Sequence, residues 1–428
     1  MRNDDTTNKD ITDEVITNVN MANKITTNKI ITNKSISNKE ITNNFIIFAK
    51  NNDMNIPFNY GKIVRDEDFT DRVEETKRLI YNMYALTNTA LISPRRIGKS
   101  SLVEKAIKEI QKSNNEYIFV TMTCMDCDDE WAFYQTYAKR IIECISTSAE
   151  SLVKNAKDFV MRLIPTVAFK EPTGQYELSF QFNFKNQPDI DDILDLPQKI
   201  AEKKNKKVIV CIDEFQQIGE FKNTSRLQRK LRDSWQRHQN VAYILYGSKK
   251  HMMLNIFGEY RSPFFRFGDI MYLPKITNEN WVYYITERFQ ATGKEITQDD
   301  ASYLADKVEN HPYYVQQLAQ VAWLRTEKEC NKGIIDDAFE AILDILGLQY
   351  ENLMNTLTEN QKNYLKAVCM GERNLSSARV VEEYGLGTTA NVAVIKKALL
   401  RRDIIDVEGP NVIVQDTMLK YWIRKNRT

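Results

Sequence analysis

The stretch SPRRIGKSS, Ser93 to Ser101, directly follows the short apolar run TALI, Thr89 to Ile92, and opens a helical pattern. A glycine followed by Lys-Ser, placed between a strand and a helix, is the context that a phosphate-binding loop requires. Backbone N–H groups of the loop would face phosphate oxygens, because the positive end of the helix dipole lies there. The sequence therefore predicts a nucleotide phosphate site at this junction.

The side chains of this loop have separate predicted roles. Lys99 is predicted to reach the β- and γ-phosphates, and the Ser100 hydroxyl to bind Mg²⁺. Ser93 stands where the pattern G-x-x-x-x-G-K-[ST] has its first glycine, a less crowded position than that of Gly98. Arg95 and Arg96 either contact phosphate or face solvent. The other candidate binding residues of the loop are Pro94, Ile97 and Ser101.

A second motif, VIVCIDEF from Val208 to Phe215, is typical of a buried strand that ends in two adjacent acids. Ligands of parallel sheets bind at the carboxyl ends of the strands, so both acids are predicted beside the phosphates. Asp213 is predicted to hold the magnesium shell and Glu214 to polarise the attacking water. A solvated strand end would explain the acids alone. The two motifs together predict that the chain binds Mg·ATP, or GTP, and hydrolyses it.

Two further segments supply candidate site residues. VAYILYGS, Val241 to Ser248, is another buried-type strand, and Ser248 at its polar end is predicted to sense the γ-phosphate. Arg261 and Arg266 flank the next motif, SPFF. Either arginine could stabilise transition-state charge in its own active site or in a neighbour's, or could be a plain surface charge. The sequence leaves these alternatives open.

The order of patterns along the chain predicts several structural units. Apolar runs alternate with helical patterns from Thr89, which indicates a parallel α/β sheet. From Asn278 the pattern is wholly helical, with helices around 279–291, 298–308, 312–328 and 334–347. Three more helices, two short strands around Gly409-Pro410 and a final helix indicate a winged helix-turn-helix. The predicted units are an extension at 1–53, a P-loop core at 54–275 with an insertion at about 153–207, a helical lid at 276–355 and a winged helix at 356–428.

The insertion and the N-terminal extension have distinct patterns. In the insertion, Pro172-Thr173-Gly174 separates VAF from the alternating YELSFQFNF, which predicts a hairpin. The extension falls into five-residue units such as NKITT, NKIIT and NKSIS, too polar to offset its ordering entropy, so we expect disorder. Dense sequence begins at Met54, which is a candidate for the natural translation start.

The predicted winged helix has a candidate nucleic-acid surface. Its third helix begins with small polar residues, where base-reading side chains usually lie, and continues with basic ones. Winged helices also serve as protein-contact modules, so DNA is one of two partner classes that the sequence predicts. The candidate contact residues are Thr388, Asn391, Lys396, Lys397 and Arg401.

Composition excludes several classes of protein. The 59 basic and 58 acidic residues nearly cancel, so a polyanion partner would have to be recognised by a local patch. No sequence run reaches the roughly 18 apolar residues that a membrane span needs, and the N-terminus is too polar for a signal peptide. We therefore expect a cytoplasmic protein. The six cysteines do not form a disulfide pattern, and the C-x-x-C at Cys124 and Cys127 is better explained as a strand end and turn than as a metal site.

The motifs GKSS, VIVCIDEFQ, YGSKKHMM, SPFFRF and NHPYYVQQLA together resemble the AAA-type ATPases of the archaeal ATPase family, found in archaea and Bacteroides-like bacteria. The resemblance covers about residues 54–428 and extends to STAND signalling ATPases and archaeal replication initiators. It implies a P-loop core with an additional strand, a helical lid and a C-terminal winged helix.

The resemblance also implies roles for residues outside the two main motifs. The family's F-x-x-R-x-x-E segment lies by the nucleotide base and is matched here by Phe69, Arg72 and Glu75. The lid motif with which STAND relatives sense nucleotide is matched by Asn310-His311-Pro312, without its usual glycine. His311 is therefore a candidate sensor.

Three functional hypotheses follow from these motifs. The first is an ATP-driven switch, in which nucleotide closes the lid and repositions the winged helix toward a DNA or protein partner. The second is a DNA-binding regulator with structural nucleotide and negligible turnover. The third is a signalling or defence scaffold that oligomerises on ATP, with Arg261 or Arg266 acting between subunits.

Overall fold

The computed structural model describes residues 56–64, 68–144, 167–169, 180–182 and 187–426. Its largest sheet is parallel and has the strand order β2-β5-β6-β1-β7. Strand β6 lies between the strand that leads into the phosphate loop and the strand that ends in the acids, so the predicted additional-strand core is confirmed. The strands are β1 (Thr89–Ile92), β2 (Tyr117–Thr123), β5 (Lys207–Asp213), β6 (Val241–Gly247) and β7 (Asp269–Tyr272).

Helices cover both faces of this sheet because alternate strand residues point to opposite sides. In β5, Val210 and Ile212 enter one apolar cluster, and Ile209 and Cys211 enter the other. The second cluster is covered by α1 (Val73–Tyr84) and α2 (Lys99–Ser113). The first is covered by α3 (Glu130–Glu143), α4 (Gln187–Leu194), α5 (Leu196–Lys204), α6 (Thr224–Trp235) and α7 (Lys250–Phe257).

The insertion predicted at about 153–207 is only partly a hairpin. Strands β3 (Val167–Phe169) and β4 (Phe180–Phe182) pair antiparallel. The predicted turn at Pro172-Thr173-Gly174 lies outside the described residues. The end of the insertion, predicted as part of the same unit, instead forms helices α4 and α5 of the core. Pro197 in the first turn of α5 and the buried Ile193 and Ile200 explain why this segment is helical and packed on the sheet.

The helical lid follows β7. Its helices are α8 (Asn278–Gln290), α9 (Gln298–Lys307), α10 (Pro312–Arg325) and α11 (Lys332–Asn355), with short strands β8 (Glu295–Ile296) and β9 (Glu329–Cys330). Helix α11 runs well past the end predicted near residue 347. A Cβ at Gly347 would lie 3.3 Å from Trp422 Nε1, so this glycine lets the helix pass close to the end of the chain. Tyr350 then packs on the same Trp422 ring.

The C-terminal elements form the predicted winged helix. They are α12 (Glu359–Met370), α13 (Ala378–Glu383), α14 (Thr389–Arg401), β10 (Ile405–Glu408), β11 (Asn411–Val414) and α15 (Thr417–Lys425), with β10 and β11 antiparallel. One apolar cluster extends from the lid through Ile342 to Tyr364 and Leu399 of the winged helix. The lid and winged helix thus share a core, and the unit boundary at 355/356 stays a prediction.

Some predictions fall on other parts of the chain. The N-terminal extension at 1–53 lies outside the described residues. Among the residues that the structure does describe, no helix has the length and apolar character that a bilayer crossing demands.

Candidate nucleotide site

The phosphate loop lies where the sequence places it, between β1 and α2. Gly98 caps α2 with φ 99°, a conformation that favours glycine, and the next residue begins the helix. The Lys99 ammonium lies 2.8 Å from the Pro94 carbonyl oxygen and 3.2 Å from both Ser93 oxygens, the carbonyl and the hydroxyl. Ser93 thus contacts the lysine with a side chain that a glycine would lack. The loop lysine is held by weak neutral acceptors that a phosphate could replace.

Burial is the main influence on Lys99. It lowers the pKa of the ammonium to about 8, and the nearby Glu214 and Asp213 oppose the shift. At neutral pH the group is still protonated. A buried cation with only carbonyl and hydroxyl partners is a strong site for an anion.

Ser100 and Asp213 form a pair suited to a magnesium ion. The Ser100 hydroxyl donates to Asp213 Oδ2 over 2.9 Å, and the Glu214 backbone N–H donates to Asp213 Oδ1 over 2.8 Å. Burial raises the pKa of the Asp213 carboxyl, and the hydrogen bond from Ser100 opposes it. Hydroxyl and carboxylate oxygens are ligands that Mg²⁺ prefers, so these two residues fit the predicted metal role.

The Glu214 carboxylate is held by two donors. Ser248 Oγ donates to Glu214 Oε2 over 3.0 Å, and the amide of Gln216 donates to the same oxygen. Glu214 itself has φ 51°, so the chain turns sharply after β5 and directs the carboxylate toward the end of β6. The sequence prediction placed Ser248 beside the acids but missed Gln216. Its position two residues after the acids, in DEFQ, was the available signal.

A cavity of about 710 Å³ extends from the phosphate loop to two other parts of the chain. This volume is within the range of small-ligand sites. One wall is the segment before α1, which includes Phe69 and Arg72, and the other is the lid. Arg72 is buried, bonds Glu75 Oε1 at 3.1 Å and donates to the Pro274 carbonyl. Two of the three residues matched to the family's base-side motif, Phe69 and Arg72, therefore border the same cavity as the phosphate loop, and Glu75 holds Arg72 from outside it.

The N-terminal segment is also attached to the loop helix. The Val64 backbone N–H donates to Ser101 Oγ over 3.0 Å. The Ser101 hydroxyl therefore accepts a hydrogen bond from the chain itself, and its O–H remains able to donate to a ligand in the cavity that it lines.

The lid contacts the phosphate loop through His311 and Tyr313. His311 caps α10, and its ring lies near the Arg95 backbone, which favours the protonated ring. The Arg96 guanidinium lies over the Tyr313 ring, 4.2 Å from its centroid. His311 is buried, and the cavity is lined by its neighbours Pro312 and Tyr313. The candidate sensor thus lies behind the cavity wall, and its sensing role stays a prediction.

His311 gives the fold a specific pH dependence. Burial lowers its pKa from 6.5 to about 4, so the unfolded chain binds the proton more tightly. The stability that this neutral ring confers is present above pH 6.5 and is lost as pH falls toward 4. Between pH 7.5 and pH 5, the free energy of unfolding of wild type should fall by about 2 kcal/mol more than that of His311→Asn. Urea unfolding at both pH values measures this, and equal losses in both proteins would contradict it.

The winged helix contacts the same loop. Arg95 NH2 lies 3.3 Å from Asp403 Oδ2, and His251 Nδ1 of α7 lies 3.6 Å from Asp403 Oδ1. Nearby, Lys250 pairs with Asp406 at 3.5 Å. The Asp403 side chain is only 3% exposed, and burial raises the pKa of its carboxyl. This aspartate follows α14, so one turn of the winged helix contacts the phosphate loop. No local pattern in the sequence indicated this contact.

The two candidate arginine fingers lie elsewhere. Arg261 and Arg266 are exposed and do not line the cavity, and Arg266 packs over the Phe265 ring. This arrangement does not support a finger that acts within the same chain. Contact with a neighbouring subunit's nucleotide stays a prediction.

The candidate DNA residues on α14 differ in availability. Thr388, Lys397 and Arg401 are exposed, whereas Lys396 is half-buried. The Asn391 amide instead donates to the Leu386 carbonyl over 2.9 Å, and Thr388 Oγ1 caps the helix at Asn391 N. Asn391 therefore stabilises the turn before α14, and its proposed base-reading role would require that bond to break.

Comparison with known proteins agrees with this architecture. A sequence model described as Predicted AAA-ATPase matches residues 62–255, and one described as a probable winged helix domain matches residues 348–425. No curated protein sequence matches the chain.

Solved structures show the same fold. The Walker-type ATPase PABY2304 of Pyrococcus abyssi is 17% identical, with a TM-score of 0.60 over 86% of this chain and 99% of that one. The ORC2 protein of Aeropyrum pernix, in ADPNP–ADP complexes, is 11% identical, with a TM-score of 0.54 over 87% of this chain and 98% of that one. Its ADP form is 12% identical, with a TM-score of 0.51 over 86% and 97%.

Proposed function

We propose that this chain, a member of the predicted AAA-ATPases that carries a C-terminal winged helix, is an ATP-hydrolysing switch coupling nucleotide state to a DNA or protein partner. The observation that carries the proposal is the position of Arg95. It belongs to the phosphate loop, its neighbour Arg96 packs over Tyr313 of the lid, and its own guanidinium pairs with Asp403 of the winged helix. A change at the phosphates therefore acts on both C-terminal units.

The residues of the site fit Mg·ATP in a defined way. Lys99 would bind the β- and γ-phosphates, and Ser100 and Asp213 would hold the ion. Bound Mg·ATP supplies the phosphoanhydride that is cleaved. Glu214, positioned by Ser248 and Gln216, would orient water and accept its proton. These assignments are part of the proposal.

The switch step follows from charge. A γ-phosphate near the loop offers Arg95 a more highly charged partner than a single carboxylate. Asp403 would then lose its arginine partner and keep only the His251 ring beside it, and the buried carboxyl would favour release of the winged helix into solvent. Hydrolysis removes the γ-phosphate and restores the original pair. We place this cycle in the cytoplasm, and slow turnover without a partner is expected.

Hydrogen exchange of residues 403–408 tests the switch. In the Glu214→Gln protein, ATP should speed exchange there by about tenfold relative to ADP. Asp403→Asn should exchange fast with either nucleotide, because its pair with Arg95 is weakened in advance. Glu408→Gln, at an exposed position beyond the contact, is the matched control and should behave as the parent.

The outcome that would refute the switch is the same exchange with ATP and ADP. A regulator with structural nucleotide would give that result. The partner class is tested by mixed duplex DNA. The switch predicts that DNA binds more tightly with ATP than with ADP. If a double variant with Lys397→Ala and Arg401→Ala also loses this binding, the exposed surface of α14 is the DNA contact. If DNA binds in neither state, a protein partner is indicated.

A further inference from the structure

The lid places one buried amide on the wall of the nucleotide cavity, at Gln316. This residue lies one helical turn after Pro312 in α10, and both line the cavity. Its side chain belongs to the buried part of the wall, with only 5% of the residue exposed. Its neighbours on the wall include Trp281 and Ile276, so the surroundings are largely apolar.

Hydrogen bonds show which end of this amide is already paired. Gln316 Nε2 donates to Tyr284 OH over 3.0 Å, and Tyr284 OH donates to the Asp68 carbonyl over 3.5 Å. With the tyrosine proton directed to Asp68, the tyrosine oxygen accepts from Gln316. The amide nitrogen therefore faces Tyr284, which leaves the carbonyl oxygen Oε1.

Gln316 Oε1 is buried and has no hydrogen-bond partner among the residues that the structure describes. Buried acceptors are paired in most proteins, because an unpaired one loses its hydration without compensation. A carbonyl oxygen needs a donor, and it would repel phosphate oxygens. The loop with Lys99 and Ser100 already supplies the phosphate contacts at its own part of the cavity.

We propose that Gln316 Oε1 accepts a hydrogen bond from the nucleoside half of the bound nucleotide and so determines which nucleotide the site takes. The inference rests on the proposed ATP site. The ligand chemistry is an N–H or O–H donor next to a flat apolar ring that can pack near Trp281. In ATP the candidates are the exocyclic amine of adenine and the ribose hydroxyls. Guanine carries an acceptor oxygen where adenine carries that amine, so it would not satisfy Gln316 through this position.

The experiment compares the affinity of the full chain for four nucleotides, measured by calorimetry with Mg²⁺. These are ATP, purine riboside triphosphate, which lacks the exocyclic amine, and the 2′-deoxy and 3′-deoxy forms of ATP. Wild type should bind one analogue about fivefold to tenfold more weakly than ATP, which is the effect of one hydrogen bond. The weak analogue identifies the donor as the amine or as one of the hydroxyls.

Two variants separate this role from a general effect on the lid. Gln316→Met keeps the length of the side chain but removes the acceptor, so it should bind ATP and the weak analogue equally well. Gln320→Met removes an amide from the same helix that bonds the Phe58 carbonyl instead and does not line the cavity. That control should retain the wild-type difference.

Two results would overturn the proposal, and they differ from each other. Suppose that ATP binds wild type, and that Gln316→Met has the same relative affinities for the four nucleotides as wild type has. The Oε1 atom then does not contact the nucleoside. If wild type binds no ATP, and behaves like Lys99→Ala, the proposed function fails and this inference fails with it.

Discussion

Glu214→Gln is expected to lower ATP turnover by about 10²- to 10⁴-fold and to leave ATP bound. The substitution keeps the size of the side chain but removes the charge that would accept a proton from water. Ser248 and Gln216 now donate to one carboxylate oxygen, and an amide oxygen can accept the same two bonds. The local fold should therefore survive, which restricts the loss to the chemical step.

Phosphate release and calorimetric ATP affinity, measured on the same preparation, test this assignment. Glu202→Gln is the matched control, because Glu202 is an exposed glutamate on α5 that does not line the cavity. Its turnover should equal that of wild type. An unchanged rate in Glu214→Gln would show that another group acts as the base.

Lys99→Ala should abolish the stabilisation that ATP gives to the folded chain. A ligand that binds only the native state adds about 2.7 kcal/mol to the free energy of unfolding at a hundredfold excess over its Kd. Lys99 is the buried cation of the loop, and its present partners are two carbonyls and one hydroxyl. Without it, the phosphates meet buried backbone and two carboxylates and lack the buried ammonium that would offset their charge.

The measurement is the thermal unfolding midpoint with and without Mg·ATP. Lys112→Ala, an exposed lysine in the last turn of the same helix, should respond to ATP as wild type does. Equal midpoint shifts in wild type and Lys99→Ala would contradict a phosphate site at this loop. The serine at position 93 would then mark a loop that no longer binds nucleotide.

The central strands of the core were predictable because they are nearly continuous apolar runs. Buried parallel strands read this way, and β5 and β6 are buried along nearly their whole length. The placement of Lys99, Ser100, Asp213 and Ser248 at one edge follows from the same rule, because each lies at or just after a carboxyl end. Their roles in binding and hydrolysis stay predictions.

Contacts between distant segments were not predictable from local pattern. Helix α11 continues past Gly347 because Trp422, far along the chain, packs against it. Arg95 and Asp403 are 308 residues apart, and neither has a sequence context that indicates the other. The unpaired oxygen of Gln316 is a similar case, since it depends on Tyr284 and Asp68 from two other segments.

The pair between Arg95 and Asp403 also constrains any partner of the winged helix. If nucleotide changes the affinity of that unit for a partner by some factor, the partner must change the affinity for nucleotide by the same factor. A partner that captures the released winged helix would thereby help the chain retain ATP. The cell could then set how long the ATP-bound form lasts through the abundance of the partner, with no change in the ATP concentration.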